Sequence, residues 1–181
     1  MLGMHAEQQV LFWIIIAGGA LVITSYTHGF LTHPNTRGNV WGGIPARLKP
    51  LYVVSMLLAA AGFFAFTYFV LWRLNPGEVV IAKSFGFTIF IGIYIVILVP
   101  SAMWMPLTFA MLTYPSEGLW LRIRVTLALV GVASLALLII LLTLNTREPA
   151  VAYWFAVGGA AAFCLQTAVL DMLVWPAFFK V

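Results

Sequence analysis

The sequence places one acidic side chain, Asp171, inside a long apolar stretch that covers residues 152–175. A charged group within a membrane span is costly and usually turns towards the protein interior or a cavity. The other members of its helical stripe, at about 100° per residue, are Ala160, Cys164, Thr167 and Trp175. This stripe predicts a cavity-facing surface with Asp171 at the mouth of a pocket. Because Asp171 lies only about 6 Å along a helix from Trp175, a carboxylate hydrated from the aqueous side explains the position equally well.

The opposite side of the same helix carries two small residues, Gly158 and Ala162. Small residues let the backbones of membrane helices approach closely. This face therefore predicts a homodimer contact or a contact with another subunit of a membrane complex.

A second polar stripe lies further upstream, where Tyr94, Ser101 and Thr108 repeat every seven residues and share one helix face. Trp104 lies about 60° from that stripe, well inside the apolar run. Such a stripe either lines a ligand site or forms hydrogen bonds to a neighbouring helix, and the second role is the commoner one. The indole of Trp104 suits a planar ligand, and it suits ordinary core packing equally well.

The histidines do not form a haem or metal site of their own. His28 and His33 lie in one connection and no histidine follows them, so facing helices cannot supply two axial ligands. We therefore predict no bis-histidine haem site and assign no metal-ligating residue; single ligation or simple loop polarity is the favoured role of these histidines. The sequence also contains no nucleophile elbow, P-loop or dinucleotide fingerprint, so no catalytic residue is identified and enzymatic activity is the less favoured class.

Composition assigns the chain to the membrane. It has 181 residues, of which 64% are hydrophobic and 8% charged, and its mean hydropathy is +1.07. The nine Lys and Arg residues are spread along the chain, so no basic cluster is available to follow a nucleic acid backbone. These values predict an integral protein with membrane lipid as a partner.

Apolar stretches predict an all-α fold, a five-transmembrane-helix bundle that forms a single domain over residues 1–181. The expected spans cover about 10–26, 51–74, 82–109, 125–144 and 152–175. The fourth, almost wholly aliphatic, is expected to be a lipid-facing scaffold. Residues 27–49 form a long connection rich in Gly, Pro and Asn, which we call loop 1 and predict to be a lid over one end.

Basic residues predict the orientation. Five spans place loop 1, the connection after span 3 and the C-terminus on one side. That side carries Arg37, Arg47, Lys49, Arg122, Arg124 and Lys180, whereas the other carries Arg73, Lys83 and Arg147. The positive-inside rule then predicts that loop 1 and the C-terminus are cytoplasmic and that the N-terminus is outside.

The order of motifs resembles the TspO family of translocator proteins, also called tryptophan-rich sensory proteins or peripheral benzodiazepine receptors. The segment from Trp104 to Phe109, Trp-Met-Pro-Leu-Thr-Phe, is similar to the family's Trp-Ser/Pro-Pro-Leu-Phe-Phe. Leu170-Asp171-Met172-Leu173-Val174-Trp175 is similar to its Leu-Asn-x-x-x-Trp, and Leu48-Lys49-Pro50 to its Leu-x-Lys-Pro. The family's Trp-x-Pro-Pro-x-Trp run is missing, and Ser101 and Asp171 replace two family Asn residues, which implies a distant member with altered ligand chemistry.

The resemblance implies a TspO-like bundle that binds a hydrophobic, partly planar ligand, such as a tetrapyrrole or sterol-like lipid, for transport, sensing or disposal. Porphyrin or haem would then be a ligand, and no resident cofactor is implied with certainty. The ligand-binding residues expected from it are Trp41, Ser101, Trp104, Phe163, Thr167, Asp171 and Trp175. Two alternatives stay open: a structural subunit of a larger membrane complex, and a membrane-embedded lipid or sterol enzyme that uses Asp171 as acid or base.

Overall fold

The computed structural model describes residues 4–81 and 85–179 and contains five helices long and apolar enough to cross a membrane. The first four are α1 (Ala6–Thr32), α2 (Lys49–Trp72), α3 (Thr88–Thr113) and α4 (Glu117–Thr143). The fifth, which we call span 5, consists of α5 (Ala150–Cys164), a π-helical segment (Leu165–Val174) and the short α6 (Trp175–Phe178). The predictions of an all-helical protein and of five apolar spans are confirmed.

Three parts of the predictions lie outside the described residues. These are the expected start of span 3 at residue 82, the basic residues Lys83 and Lys180, and residues 1–3 of the single domain.

The observed helices differ from the predicted spans mainly at their ends. Helix α4 begins eight residues before the predicted position, because the Ser116 side chain caps it by accepting a hydrogen bond from the Leu119 amide at 3.2 Å. Helix α1 continues six residues past the predicted end at Tyr26, and α3 runs through Pro100 and Pro106 without interruption. Hydropathy marks where a helix meets lipid, whereas the helix itself continues into the interface.

The helices form a ring in the order α1, α3, α4, span 5 and α2. Between α1 and α2 the described contact is concentrated at the end far from loop 1. There the Gln8 side chain donates hydrogen bonds to the carbonyls of Leu71 and Leu74, at 2.8 and 3.0 Å. Gln8 thereby satisfies two carbonyls at the C-terminal end of α2 that the helix itself leaves unpaired.

Aromatic side chains fill the middle of the ring. The hydroxyl groups of Thr67 and Tyr94 are hydrogen-bonded at 2.8 Å, which joins α2 to α3 across the interior. Phe63 and Phe66 pack edge-on against the Tyr94 ring. Tyr94 therefore connects helices, as the commoner interpretation of its polar stripe predicts, whereas Thr108 on the same stripe donates to the Trp104 carbonyl of its own helix.

The closest helix crossing joins α2 to α5 through Gly62 and Gly159. A Cβ atom at Gly62 would overlap the Gly159 carbonyl oxygen, and one at Gly159 would lie 2.7 Å from the Gly62 Cα. Gly158, the glycine expected to form an intermolecular contact, has no such neighbour within 4 Å in the described chain. The small-residue contact inside the protein thus uses Gly159, and a homodimer contact through Gly158 and Ala162 stays a prediction.

The expectation that span 4 is a lipid-facing scaffold describes only one of its faces, on which Leu121, Val132 and Ile139 are exposed. Half of its most apolar window is buried inside the protein, the largest share among the five spans. Ser134 on α4 donates to the Gly131 carbonyl and accepts a hydrogen bond from Thr167 of span 5. An aliphatic sequence satisfies lipid and an apolar protein neighbour equally, so hydropathy does not distinguish the two.

Loop 1 covers one end of the ring and contacts the C-terminal end of span 5. It contains two short 3₁₀ turns, Arg37–Trp41 and Ala46–Leu48. The Gly43 amide donates a hydrogen bond to the Phe178 carbonyl at 2.8 Å. Loop 1 and the end of span 5 therefore lie on the same side of the bundle.

Single cysteines in a Cys164→Ala background should report opposite sidedness at the two ends. We expect Gly38→Cys to react with an impermeant maleimide only from the cytoplasmic face and Gly77→Cys only from the other face, because basic loops resist translocation. Both glycines have room for a side chain, whereas a Cβ at Gly43 would meet the Phe178 carbonyl oxygen at 2.7 Å. Labelling of both positions from the same face would contradict the five-span topology.

The adjacent glycines of α5 provide a matched test of helix packing. Gly159→Ala should destabilise the protein by about 1–3 kcal/mol, because the new methyl group meets backbone that cannot rotate away. Gly158→Ala, which enters open space, should be neutral or slightly stabilising, since alanine favours a helix over glycine by up to about 1 kcal/mol. Thermal unfolding of both variants in the same detergent is the measurement, and equal midpoints would contradict the crossing.

Candidate functional site

The π-helical segment brings Gln166 and Asp171 together. The Gln166 Nε2 donates a hydrogen bond to Asp171 Oδ1 at 2.8 Å, across a separation of five residues. In an α-helix these two side chains would point about 140° apart, whereas i to i+5 is the hydrogen-bond spacing of a π-helix. The altered register is therefore what gives the carboxylate a partner within its own span.

Two tyrosines from neighbouring helices surround this pair. Tyr26 of α1 and Tyr52 of α2 both lie within electrostatic range of the Asp171 carboxylate. The Tyr52 hydroxyl donates to the Leu170 carbonyl at 3.1 Å, next to Asp171 in the chain. The carboxylate is thus inside the ring at the end that loop 1 covers, and it is partly buried.

Trp104 connects α3 to the same region. Its ring centroid lies 5.8 Å from that of Tyr26 and 5.8 Å from that of Trp175. Trp175 in turn packs on Trp120 and Phe179, with centroids at 6.1 and 4.6 Å. We call this set of rings, Tyr26, Trp104, Trp120, Trp175 and Phe179, the aromatic cluster.

Loop 1 is attached to the aromatic cluster by a buried hydrogen bond. The Trp175 indole N–H donates to the Val40 carbonyl at 3.0 Å, and Trp175 is only 3% exposed. Trp41 packs edge-on against Tyr52, with ring centroids 6.2 Å apart. Trp175 therefore serves as an interior anchor for loop 1, although its position near a span end is typical of an interfacial tryptophan.

The structure brings together four of the seven residues expected to bind ligand. Trp41, Trp104, Asp171 and Trp175 lie around the loop 1 end of the ring, linked through Tyr26 and Tyr52.

The remaining three residues do not join this group by any described contact. Thr167 turns to α4, where its hydroxyl lies 2.7 Å from Ser134 Oγ, and the Phe163 ring packs on Phe63 and Phe66 of α2. Ser101 makes no hydrogen bond in the part of the chain that the structure describes. In this structure Thr167 and Phe163 contact α4 and α2, and their place in the wall of a ligand site stays a prediction.

Sequence reasoning missed two polar residues of the site, Gln166 and Ser55. Gln166 is 4% exposed and Ser55 is 6% exposed. Three buried polar atoms find no hydrogen-bond partner among the described residues: Ser55 Oγ, Trp104 Nε1 and Gln166 Oε1. Unpaired polar atoms inside a membrane protein cost free energy and call for an explanation, of which a ligand is one. The sequence does contain one indication of Gln166: a glutamine five residues before an aspartate in a membrane span is a candidate hydrogen-bond partner of that aspartate.

The histidines take structural positions. His33 stacks on Phe109 with ring centroids 4.4 Å apart, and its Nδ1 lies 3.2 Å from the Gly29 carbonyl oxygen. No group of three or more His, Cys, Asp or Glu residues able to hold a metal ion occurs within residues 4–81 and 85–179.

The rings of the candidate site pack against one another, so a flat ligand would have to move Trp104 away from Tyr26 to enter between them. A separate apolar pocket of about 500 Å³ lies at the opposite end. It is lined by Val80, Ile81, Phe85, Ile89, Ile139, Ile140, Thr143 and Asn145. None of the described residues that line this pocket is titratable, and the pocket is distinct from the residues around Asp171.

Comparison of the chain with protein-family models, with curated proteins and with solved structures finds no match.

The anchor between Trp175 and loop 1 can be tested by removing its donor alone. Trp175→Phe keeps an aromatic ring but leaves the buried Val40 carbonyl unpaired, a cost of about 1–3 kcal/mol. We expect faster amide hydrogen exchange in residues 33–48 of this variant. Trp120→Phe is the matched control, since the Trp120 ring stacks on Phe179 and its N–H forms no hydrogen bond within the described residues. Equal exchange in both variants would show that the hydrogen bond does not hold loop 1.

Proposed function

We propose that the protein is a membrane receptor that binds a hydrophobic, partly planar ligand inside the bundle, beneath loop 1. The observation that carries this proposal is a carboxylate within a membrane span whose surroundings are aromatic and whose polar neighbours are incompletely paired. Among the described residues, Asp171 has one hydrogen bond, from Gln166, and Trp104 Nε1 and Gln166 Oε1 are buried without partners. Ligand sites commonly combine an apolar, aromatic lining with a few oriented polar groups, as this region does.

Each part of the site has a role in this proposal. Trp104 contacts the flat face of the ligand, because an indole offers a large apolar surface with one N–H donor. Asp171 and Gln166 bind the polar end of the ligand. Trp41 and Trp175 hold loop 1 closed over the occupied site, so the loop acts as a lid that opens when the ligand binds or leaves.

The resemblance to the TspO family supports tetrapyrroles and sterol-like lipids as the first ligands to test. A porphyrin bound here would direct its pyrrole nitrogens towards Asp171 and its propionates away from it, because like charges repel in a region of low dielectric constant. Transport, sensing and disposal are all consistent with such a receptor. An enzyme acting on lipid or sterol would require turnover that disappears in Asp171→Asn.

A structural subunit of a larger complex is the second candidate function. It is favoured by Gly158, where an added Cβ atom would meet nothing within 4 Å, although the neighbouring Gly159 is used in a close crossing. A helix from another chain, or a second copy of this one, fits such a surface.

Binding of a porphyrin series, followed by quenching of tryptophan fluorescence, tests the receptor proposal. Trp104→Ala should weaken every porphyrin by roughly tenfold, the effect of losing about 1.4 kcal/mol of stacking and burial. Asp171→Asn keeps a hydrogen-bonding side chain and removes the negative charge, so it should bind anionic porphyrins as well as or better than the wild type.

Two outcomes would contradict the proposal. Saturable binding that is identical in the wild type and Trp104→Ala would place the ligand site elsewhere. No saturable binding by any member of the series would favour the structural-subunit function.

A further inference from the structure

Ser55 and Gln166 lie at the same level of the interface between α2 and span 5. Two contacts fix the antiparallel register of these helices: Tyr52 donates to the Leu170 carbonyl, and Gly62 lies against Gly159. Interpolation between them sets Ser55 opposite Gln166. Both side chains are more than nine-tenths buried, and both have an oxygen atom without a hydrogen-bond partner. The unpaired atoms of the two helices therefore lie at one level of this interface.

This region contains more acceptors than donors. Gln166 Nε2 donates a hydrogen bond to Asp171, and Gln166 Oε1 remains as an unpaired acceptor. The Asp171 carboxylate adds further acceptor positions, because a carboxylate can accept about four hydrogen bonds. The Tyr52 hydroxyl is used by the Leu170 carbonyl. The remaining donors nearby are the second Gln166 N–H, the hydroxyls of Ser55 and Tyr26, and the Trp104 indole N–H, which is buried without a partner among the described residues. Asp171 has no Lys or Arg partner among the described residues, so its charge lacks a counter-cation there.

The lining of the region is aromatic as well as acidic. Tyr26 and Tyr52 lie near the carboxylate, and Trp104 packs on Tyr26. Aromatic faces attract cations, most strongly where water is excluded. An acceptor-rich carboxylate site with aromatic walls thus has the chemistry of an ammonium site.

We propose that the ligand of this site carries a protonated amine, whose N–H groups bind Asp171, Gln166 Oε1 and Ser55 Oγ while its flat apolar body contacts Trp104. This inference rests on the receptor function proposed above and names the polar end of its ligand. A primary ammonium supplies three N–H donors, which can pair with the unpaired acceptors. It also supplies a positive charge, which compensates the charge of the Asp171 carboxylate.

Other polar ends fit the site less well. An alcohol brings a single donor and no charge, and a carboxylate adds a second negative charge beside Asp171. A quaternary ammonium satisfies the charge and the aromatic walls but has no N–H, so Gln166 Oε1 stays unpaired. The order of the dissociation constants of four ligands that differ only in their polar end therefore shows which polar group the site prefers.

The experiment uses pyrene as one constant flat body with four polar ends. The probes are 1-pyrenemethylamine, its N,N,N-trimethyl derivative, 1-pyrenemethanol and 1-pyrenecarboxylate. The full-length protein is held in phosphatidylcholine nanodiscs, so that the lipid surface has no net charge, and signal from empty nanodiscs is subtracted. Energy transfer from tryptophan to pyrene gives the dissociation constant of each probe.

In the wild type we expect the primary amine to bind roughly tenfold to a hundredfold more tightly than the alcohol, as for a hydrogen bond to a charged group. The quaternary probe should be intermediate and the carboxylate weakest. Asp171→Asn should reduce the preference for the amine over the alcohol to about twofold or less. Gln166→Leu should weaken the primary amine more than the quaternary probe, because only the primary amine can donate to the Gln166 Oε1 acceptor.

Ser55→Ala and Ser134→Ala form a matched pair of buried serine variants. Ser55→Ala should weaken the primary amine severalfold, because it removes one of the proposed partners. Ser134→Ala should have no effect, because the Ser134 hydroxyl is bonded to Gly131 and Thr167 on the α4 side.

The failures of the two proposals are distinguishable. Saturable binding that depends on Trp104 but ranks the alcohol equal to the amine would overturn the ammonium inference and leave the receptor function standing. Amine preference that persists in Asp171→Asn would also overturn the inference, since the selectivity would then come from another surface. No saturable binding by any of the four probes would overturn the receptor function itself.

Discussion

The carboxylate of Asp171 must find its hydrogen bonds inside the protein, and the π-helical segment supplies the first of them. Gln166 and Asp171 would lie on different sides of an α-helix, so the wider register of residues 165–174 is the condition for their contact at 2.8 Å. π-helical turns are rare and recur at functional sites. Here the deviation lies at the one acidic residue of an apolar span, where a hydrogen-bond partner has the greatest value.

The neighbours of the π-helical segment approach it closely. Thr167 faces Ser134 on α4, where Gly131 lets the π-helical backbone approach: a Cβ at Gly131 would lie 3.2 Å from the Thr167 carbonyl oxygen. Trp175, directly after the segment, is directed inward against Trp104 and the Val40 carbonyl. Span 5 therefore contacts α4 from within this segment and loop 1 from the residue that follows it.

The parts of the fold that the sequence predicts correctly depend on composition alone. Apolar stretches locate the five spans, and the Gly, Pro and Asn content of residues 27–49 marks the covering loop, although α1 continues to Thr32 and α2 begins at Lys49. The parts it misses depend on register and on neighbours. A stripe drawn at about 100° per residue overlooks Gln166, because no periodicity in the sequence reveals a π-helix. The sequence does not predict Ser55 as a site residue for a different reason, since only the packing of α2 against span 5 brings it to the level of Gln166.

Packing restricts how any ligand could reach Asp171. The Gly62–Gly159 crossing and the Thr67–Tyr94 hydrogen bond close the middle of the ring, and the far end has a packed apolar core, the Gln8 clamp and the separate apolar pocket. At the other end, loop 1 is held by the hydrogen bonds from Trp175 to Val40 and from Gly43 to Phe178 and by the burial of Val40 and Ile44. Loop 1 can move away without separating helices whose backbones touch. The end covered by loop 1 is consequently where the bundle opens most readily, and it is also the end where the carboxylate, the unpaired amide oxygen and the aromatic cluster lie.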